Sequence, residues 1–512
     1  MTAPLLALWY LGSALAALPF APFSLFDALS RILPGAALTL GIDVLVRVIG
    51  AAHLGRTAAA AKLAEQTIGV SLVLLGGVAG SAIAFGVARR LNAIRAPALT
   101  ASAVIALVGW LPVLLMKRSE ALTSGVWILG TMLLWGLALV WMYRRLHGPP
   151  VPMAADAPQP RLGTDRRRFL MRVGGAVAAT TVAGVTVGAR VSSRRVRTPA
   201  RRWSSEHPLP NATDPILPVD GTRPELTSID DHYRIDIDTL PPRIREADWR
   251  LRVFGLVDQP IEWSLDDVRK RQAVDRFITL SCISNPVGGD LIGTTRWTGL
   301  TLRSLLDEWA VKPSATHLRI RSADGYQEVV PLDLIRRDER LMLVHAWDGV
   351  PLPIGHGFPL RIYIPNVYGM KQPKWIQSIE AIDHAEPGYW VARGWDRDAV
   401  MKATSVIDTV RVGQPTTGGE RMVSAGGIAH AGVRGISRVQ VRADEGSWLD
   451  AQLREPLSPM TWTVWRAEFP LATGTHLLTV RCVDGEGAPQ LTAVAPPHPS
   501  GASGLYRRSI KV

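Results

Sequence analysis

The N-terminal third of this 512-residue chain is apolar in long stretches, and this feature constrains the fold more than any other. Five stretches each approach the ~20 residues that an α-helix needs to cross a bilayer. They cover residues 5–20, 34–52, 68–87, 97–116 and 126–143. We therefore expect an N-terminal multi-helix membrane domain over residues 1–145, with about five transmembrane helices.

The net charge of +13 comes largely from arginines that cluster beside the apolar stretches. Arg144 and Arg145 close the fifth stretch, and the run Arg166–Arg168 precedes a sixth, milder stretch at residues 173–187. Basic clusters of this kind mark membrane boundaries, and they do not form one basic face of a soluble fold. We expect a membrane partner and no nucleic acid.

The segment Thr164–Met171 contains the three consecutive arginines and resembles a twin-arginine export signal placed inside the chain. No small-residue cleavage site follows it, so residues 146–203 are predicted to hold a cytoplasmic loop, the signal and a sixth, retained membrane helix. An ordinary basic flank of a membrane helix is the alternative. With Arg144 and Arg145 in the cytoplasm, the part of the chain after this helix is expected to be extracytoplasmic, on a multi-pass protein of the cytoplasmic membrane.

Cys282 is the residue of the polar remainder whose surroundings point most directly to chemistry. It is one of two cysteines, it follows a strand-like run, and a loop with Arg296 comes after it. A thiolate on such a loop suits a soft metal ion, and a nearby arginine suits an anion. A buried cysteine that acts as a small hydrophobe is the alternative. The second cysteine, Cys482, lies in an alternating run and is expected to face a strand core.

Several motifs in a fixed order resemble the sulfite oxidase family of molybdopterin enzymes, and the similarity extends from about Asp230 to the C-terminus. An ordered set of motifs is more specific than any single one. The motifs are Cys282–Asn285, Arg296–Gly299, Gly325-Tyr326, His356–Arg361 and Tyr368–Trp375.

Short β-like runs alternate with short amphipathic helices as far as about residue 397, and strand-length alternation dominates after about residue 404. Together with the resemblance, this predicts an α+β molybdopterin-binding catalytic domain over residues 204–400. It also predicts a C-terminal immunoglobulin-like β-sandwich over residues 401–512, which the resemblance makes a dimerisation domain. We therefore expect a homodimer.

The resemblance also implies roles for individual residues. Cys282 would be the soft protein ligand that molybdenum needs beside the pterin dithiolene. Arg296 would face an oxyanion substrate, and His345 stands where sulfite oxidases carry an active-site tyrosine. A structural, salt-bridged arginine and a core histidine are the alternatives. The other cofactor-binding positions are Tyr233, Arg234, Asn285, His356, Arg361, Lys371 and Lys374.

These features predict a membrane-anchored molybdopterin oxidoreductase that transfers one oxygen atom and two electrons to or from a small oxyanion or oxide, as a sulfite oxidase does. A reductase of sulfoxides or other S- or N-oxides is the alternative enzyme, because Pro286 and Val287 stand where sulfite oxidases carry further arginines. A catalytically degenerate, membrane-tethered binding module is the alternative of another class.

The expected cofactor is molybdenum–molybdopterin. No haem or flavin is expected, because the apolar third offers only His53 and His147 as possible haem ligands. Electrons would then pass to an external carrier, either a cytochrome or a quinone.

Export is predicted to require the guanidinium groups of Arg166–Arg168. Replacing all three residues by lysine keeps the charge but removes the planar fork, so the catalytic domain should stay in the cytoplasm. Protease added to spheroplasts would then spare that domain in the variant and cut it in the wild type. Equal cleavage in both would contradict the signal.

Overall fold

The computed structural model describes residues 2–16, 18–52, 55–91, 94–115, 121–147, 162–195, 208–415 and 418–512. The chain divides into two compact units. The helical unit consists of Met1–Leu33, Ala61–Thr198 and Asp238–Leu240. The β-rich unit consists of Pro34–Ala60, Pro199–Ile237 and Pro241–Val512.

Long α-helices account for most of the described residues before position 195. Their bounds are α1 Thr2–Ala16, α2 Ala21–Ile32, α3 Gly35–Ala51, α4 Thr57–Leu91, α5 Arg95–Leu115, α6 Ala121–His147 and α7 Leu162–Arg195. Their sequences are rich in leucine and alanine, which form helices readily, and in valine, and all three residues suit a lipid environment.

Three of the helical segments in the described residues are long and apolar enough to cross a membrane: Thr57–Leu91, Gly125–Leu146 and Arg167–Arg190. Helices α1 and α2 would add a fourth span if the pair, bent by 93°, forms one broken span. These helices are consistent with membrane anchoring. The predicted total of six spans stays a prediction. His53 lies outside the described residues, as does the side chain of His147.

Short strands and short helices alternate between residues 251 and 382, as the sequence predicts for an α+β domain. The strands are β1 Leu251–Gly255, β2 Ile261–Trp263, β3 Val274–Ser281, β4 Ile292–Thr301, β5 His317–Ser322, β6 Gln327–Pro331, β7 Met342–Trp347, β8 Val350–Pro351, β9 Arg361–Tyr363 and β10 Ile376–Ile382. The helices are α8 Leu265–Arg269, α9 Leu302–Glu308 and α10 Leu332–Arg337. Local sequence explains α8, because Ser264 and Asp267 form a reciprocal capping box at its start.

The strands form two sheets. One has the order β2-β1-β10-β5-β6, with β1 and β10 parallel. The other has the order β3-β4-β7-β8, with β9 paired to β7. The main core is built on the first sheet and includes Leu251, Leu318 and Ile379. A second core, around Trp297 and Trp347, lies on the second sheet. This second sheet carries the candidate site.

The last hundred residues form two four-stranded antiparallel sheets that share one core. The strands are β11 Thr404–Pro415, β12 Arg421–His430, β13 Ile436–Ala443, β14 Leu449–Asp450, β15 Gln452–Leu453, β16 Thr463–Leu471, β17 Thr475–Asp484 and β18 Tyr506–Lys511. Their orders are β11-β12-β16-β15 and β14-β13-β17-β18. Val439 and Val441 on β13 are buried in the core with Trp465, and Cys482 lies there too. The predicted alternation and the strand-core position of Cys482 are confirmed, and the immunoglobulin-like class stays a prediction.

Residues 208–225, which the sequence analysis places at the start of the catalytic domain, pack instead against the C-terminal strands. Arg454 is buried and its Nε donates to Glu225 Oε1 at 3.0 Å. The same guanidinium donates to the carbonyl oxygens of Asn211 at 2.9 Å and Ile216 at 2.9 Å. One buried arginine therefore satisfies several backbone carbonyl oxygens of this segment. The hydrophobic pattern of the sequence does not predict where the segment packs.

Replacing Arg454 by methionine should destabilise the β-rich unit by about 3–5 kcal/mol, because Glu225 would stay buried without its counter-charge. Arg411 is a matched control, since it reaches Asp220 of the same segment through an exposed ion pair. Replacing Arg411 by methionine should cost less than about 1 kcal/mol. Thermal unfolding of the full chain in detergent measures both, and equal losses would contradict the assigned role of Arg454.

Candidate functional site

Cys282 lies at the end of β3, on a loop whose shape is fixed by three hydrogen bonds. The Cys282 N–H donates to the carbonyl of Leu291 at 2.9 Å, which continues the β3–β4 ladder by one residue. Asn285 closes the turn, because its N–H donates to the Cys282 carbonyl at 3.1 Å and its Oδ1 accepts from the Leu291 N–H at 2.9 Å. The predicted cofactor-binding residue Asn285 therefore shapes the loop that holds Cys282.

Aromatic rings form a wall beside Cys282. Tyr233 packs in the same small cluster as Cys282. His232 stacks on Tyr233 with ring centroids 5.2 Å apart. The ring of Trp347 lies 4.8 Å from that of His232 and 4.7 Å from that of His356. The predicted residues Tyr233 and His356 are thus joined by two rings that the sequence did not single out.

Two features position this wall. Gly293 on β4 leaves space for the His232 ring, since a Cβ atom there would lie 2.7 Å from His232 Cδ2. Arg361 at the start of β9 is buried, with its guanidinium carbon 4.6 Å from the centroid of the Trp297 ring. Its Nη1 donates to the carbonyl of His356 at 3.0 Å. The cation is therefore held by aromatic faces and one carbonyl, and not by a carboxylate.

A buried ion cluster lies next to this wall. The Asp236 side chain has no exposure to solvent and pairs with Lys374, while its Oδ2 lies 3.2 Å from Nε of Arg234. Lys374 Nζ also donates to the carbonyl of Ile235 at 3.1 Å. Three cationic side chains, those of Arg234, Lys374 and Arg361, lie near Asp236, and the charge of the buried Asp324 also acts on Lys374. The region carries an excess of buried positive charge, which favours an anionic ligand.

Burial controls the protonation of these groups. It raises the pKa of the Cys282 thiol, and the hydrogen bonds from Ser284 and then the charge of Lys374 oppose this shift. Burial, and then neighbouring positive charges, lower the pKa of His356 well below its usual value, so its ring is neutral at pH 7. Burial also lowers the pKa of Lys374, and that of Arg361 to about 10. An anion placed here would relieve the desolvation of both cations.

Polar atoms without partners show that the site suits a polar, anionic group. Among the described residues, Tyr233 Oη, Thr295 Oγ1 and Arg361 Nε are buried and make no hydrogen bond. Such atoms are costly unless a ligand or water satisfies them. A pterin with a terminal phosphate offers the acceptors and the negative charge that these donors and cations lack, and Cys282 offers the thiolate that molybdenum requires. The residues present therefore fit molybdopterin.

The structure places Arg296 differently from the expectation. Along β3 and β4, directly paired residues share a face, so Leu291, Trp297 and Cys282 lie on one face. Arg296 neighbours Trp297 in the strand and points to the opposite face. Its backbone N–H donates to Asp348 Oδ1 at 2.9 Å. The role of Arg296 at an oxyanion substrate stays a prediction.

His345 is also separate from the Cys282 wall. A β-bulge shifts the register between β4 and β7, and both Val344 and Trp347 pack into the core around Trp297. The bulge takes His345 out of that face. Burial first, and then the charge of Arg269, lower the pKa of His345, so its ring is neutral at pH 7.

Lys371 and Lys374 play different parts, although the sequence groups them. Lys371 Nζ lies 2.7 Å from Oε1 of Glu328, whose side chain is buried. Tyr326, from the Gly-Tyr motif, donates its hydroxyl to the carbonyl of Met370. Lys371 therefore has a protein carboxylate as its partner and stabilises the turn, and Lys374 is the lysine of the Cys282 region.

Sequence reasoning missed His232 and Asp236. His232 directly precedes the Tyr233-Arg234 pair, and Asp236 follows it by two residues. Their closeness to these predicted cofactor-binding residues could have identified them. Their contacts reach residues more than 100 positions away, which no local pattern reveals.

Comparison with known proteins agrees with this chemistry. The family described as oxidoreductase molybdopterin binding domain matches residues 238–390. The uncharacterized oxidoreductase YuiH of Bacillus subtilis is 30% identical over 29% of this chain and 72% of its own length. Mitochondrial sulfite oxidase of Macaca fascicularis is 26% identical over 59% of this chain and 63% of its own length.

A third relative is a protein named as a protein-methionine-sulfoxide reductase subunit, YedZ1, of Azospira oryzae. It is 28% identical over 30% of this chain and 57% of its own length. The chain thus spans less than two thirds of the length of the sulfite oxidase and of this third relative.

Replacing Asp236 by asparagine should destabilise the cofactor-free chain by about 3–5 kcal/mol, since Lys374 loses its buried counter-charge. The loss should be smaller in cofactor-loaded protein, where a phosphate supplies negative charge. Thermal unfolding of both forms measures this. Glu339→Gln, in an exposed ion pair with Arg303, is the control. Equal losses in the two forms would contradict an anion at this place.

Proposed function

We propose a function for this chain, which belongs to the sulfite oxidase family of molybdopterin-dependent oxidoreductases. It is a membrane-anchored enzyme that transfers one oxygen atom and two electrons to or from a small oxyanion or oxide. Family membership makes it an oxidoreductase with a molybdenum–molybdopterin cofactor. The substrate, the membrane anchoring and the role of each residue belong to the proposal.

The observation that carries the proposal is the position of Cys282. Its thiol is buried at the end of β3, beside the aromatic wall and the excess of buried positive charge. A structural cysteine needs no cations nearby, whereas a metal ligand next to an anionic cofactor needs both features.

Each residue has a part in this proposal. When bound, the cofactor supplies the metal at which the oxygen atom and two electrons are exchanged. Cys282 ligates the metal, and Asn285 holds the loop that presents it. Lys374 and Arg361 neutralise the anionic part of the cofactor. Neutral His356 and Tyr233 line the pocket and exclude water. Arg234 acts through Asp236, which orients Lys374.

A reductase of sulfoxides or other S- or N-oxides is the second candidate. Pro286 and Val287 occupy the loop after Cys282, and Gly289 closes a tight turn by donating its N–H to the Pro286 carbonyl at 2.9 Å. This loop offers no cation, which suits an uncharged sulfoxide better than sulfite. The similarity to the sulfoxide reductase subunit favours the same reading.

We further propose an extracytoplasmic catalytic domain, an external cytochrome or quinone as electron carrier, and a homodimer formed by the C-terminal sheets. Three helices that could cross a membrane support the anchoring. Light scattering of the purified chain tests the dimer, and a monomer at micromolar concentration would overturn it.

The decisive experiment for the substrate is a turnover assay of the purified holoenzyme with sulfite, nitrate and methionine sulfoxide, using artificial electron carriers. We expect turnover of sulfite or of the sulfoxide. Sulfoxide turnover without sulfite turnover selects the second candidate. Bound molybdenum without turnover of any oxyanion or oxide would contradict the proposal.

Replacing Cys282 by serine should lower turnover by more than about 100-fold. Changes to groups that only support a metal ligand already cost about 10- to 100-fold, and a hydroxyl is a harder, less acidic ligand than a thiol. Cys482→Ser is the matched control, because Cys482 lies in the strand core and its thiol contacts Gln490. Turnover is measured per bound pterin, and normal turnover in Cys282→Ser would rule out the ligand role.

A further inference from the structure

A short segment from the helical third of the sequence covers Cys282. Residues Pro34–Ala60 group with the β-rich unit and not with the helical unit. Ala58 is buried at 9% exposure and packs in one cluster with Cys282 and Leu291, against which Tyr233 also packs. The side chain of Ala58 therefore lies in the same small apolar cluster as the thiol.

The neighbouring residues fasten this segment to both sides of the site. The Thr57 N–H donates to Asp290 Oδ2 at 2.9 Å, and Asp290 directly precedes the residue that pairs with Cys282. Arg56 Nη1 lies 2.5 Å from Asp231 Oδ1, and Asp231 directly precedes the aromatic wall. The segment thus joins the cysteine loop to that wall across the site.

The ion pair and the hydrogen bond that hold this segment are weak enough to break and re-form. The Arg56 and Asp231 side chains are 55% and 51% exposed, and Asp290 is exposed as well. Ion pairs at such exposure contribute little because water screens and competes for both groups. Thr57 and Ala58 form the first turn of α4, and a helix end held by a few exposed contacts opens locally without unfolding of the domain.

We propose that Arg56–Ala58 form an access strap that determines which molecules reach Cys282. When closed, the strap leaves room for a small oxyanion or a slender oxide. When Arg56 and Thr57 release their carboxylates, larger molecules enter. Ala58 is then a specificity-determining residue, because the size of its side chain sets the space beside the metal ligand. This inference rests on the proposed function in taking Cys282 as the ligand of the reacting metal.

Alkylation of Cys282 in the cofactor-free, full-length chain tests the strap without molybdenum or substrate. The double variant Arg56→Gln with Asp290→Asn should be alkylated by iodoacetamide about 5- to 30-fold faster than wild type, because two weak contacts are lost. Ala58→Leu should be alkylated more slowly than wild type. The rate at which a bulky maleimide modifies Cys282 should increase by a larger factor in the double variant than the rate with iodoacetamide.

Cys482 is an internal control in every sample, since it is buried in the C-terminal core and should stay unmodified. Arg303→Gln, which breaks an exposed ion pair with Glu339, should leave the Cys282 rate unchanged. Wild-type rates in the double variant and in Ala58→Leu would overturn the strap. So would parallel modification of Cys482, because opening would then be global unfolding.

The kinetics of the holoenzyme give a second readout. The double variant should lower KM for a bulky sulfoxide relative to a small one and leave kcat for the small one within about twofold, since no group that binds the cofactor changes. Equal effects on both substrates would argue against selection by size. Failure of the Cys282→Ser test would remove the ligand role of Cys282 but would leave the alkylation result intact, so the two ideas fail separately.

Discussion

The buried Asp236 carboxylate is the interaction on which the candidate site depends. It pairs with the buried Lys374 and the partly exposed Arg234, and its charge also acts on Arg361, which forms no ion pair of its own among the described residues. A fully neutralised cluster would fold well but would attract no anion, and a cluster without Asp236 would place several cations in a dry interior. The observed balance lets the domain fold while it retains affinity for a phosphate-bearing cofactor. The aromatic wall and the Cys282 loop lie beside this ion cluster.

The fold serves the site through one pair of strands. Residues that pair directly across β3 and β4 share a face, so Cys282 at the strand end lies on the same face as Trp297, which covers Arg361. Gly293 then admits His232 close to the sheet. A side chain at position 293 or a one-residue slip in register would separate the thiol from the cations.

Local pattern and motif order predicted much of this arrangement. The alternation of short helices and strands and the strand-core position of Cys482 follow from short stretches of sequence, and the family resemblance groups Cys282 with His356, Arg361 and Lys374. Arg296 and His345 were predicted for the same pocket. Strand alternation places Arg296 on the face opposite Cys282 and a bulge falls at His345, so their roles stay predictions. Both effects depend on pairing between distant strands, which a motif does not record.

Charge partners were harder still to foresee. Lys371 and Lys374 stand three residues apart in one motif, yet Glu328 holds the first and Asp236 the second. The covering of Cys282 by Ala58 joins residues more than 200 positions apart. Residues 56–58 lie between the second and third predicted membrane stretches, and their sequence carries no signal of a contact with Cys282.

The central claim is that Cys282 provides the protein ligand to molybdenum. X-ray absorption at the molybdenum edge, on purified wild-type and Cys282→Ser protein that both retain the cofactor, tests it most directly. The account predicts one sulfur neighbour fewer around molybdenum in the variant, with the pterin sulfurs unchanged. The same number of sulfur neighbours in both proteins would contradict it.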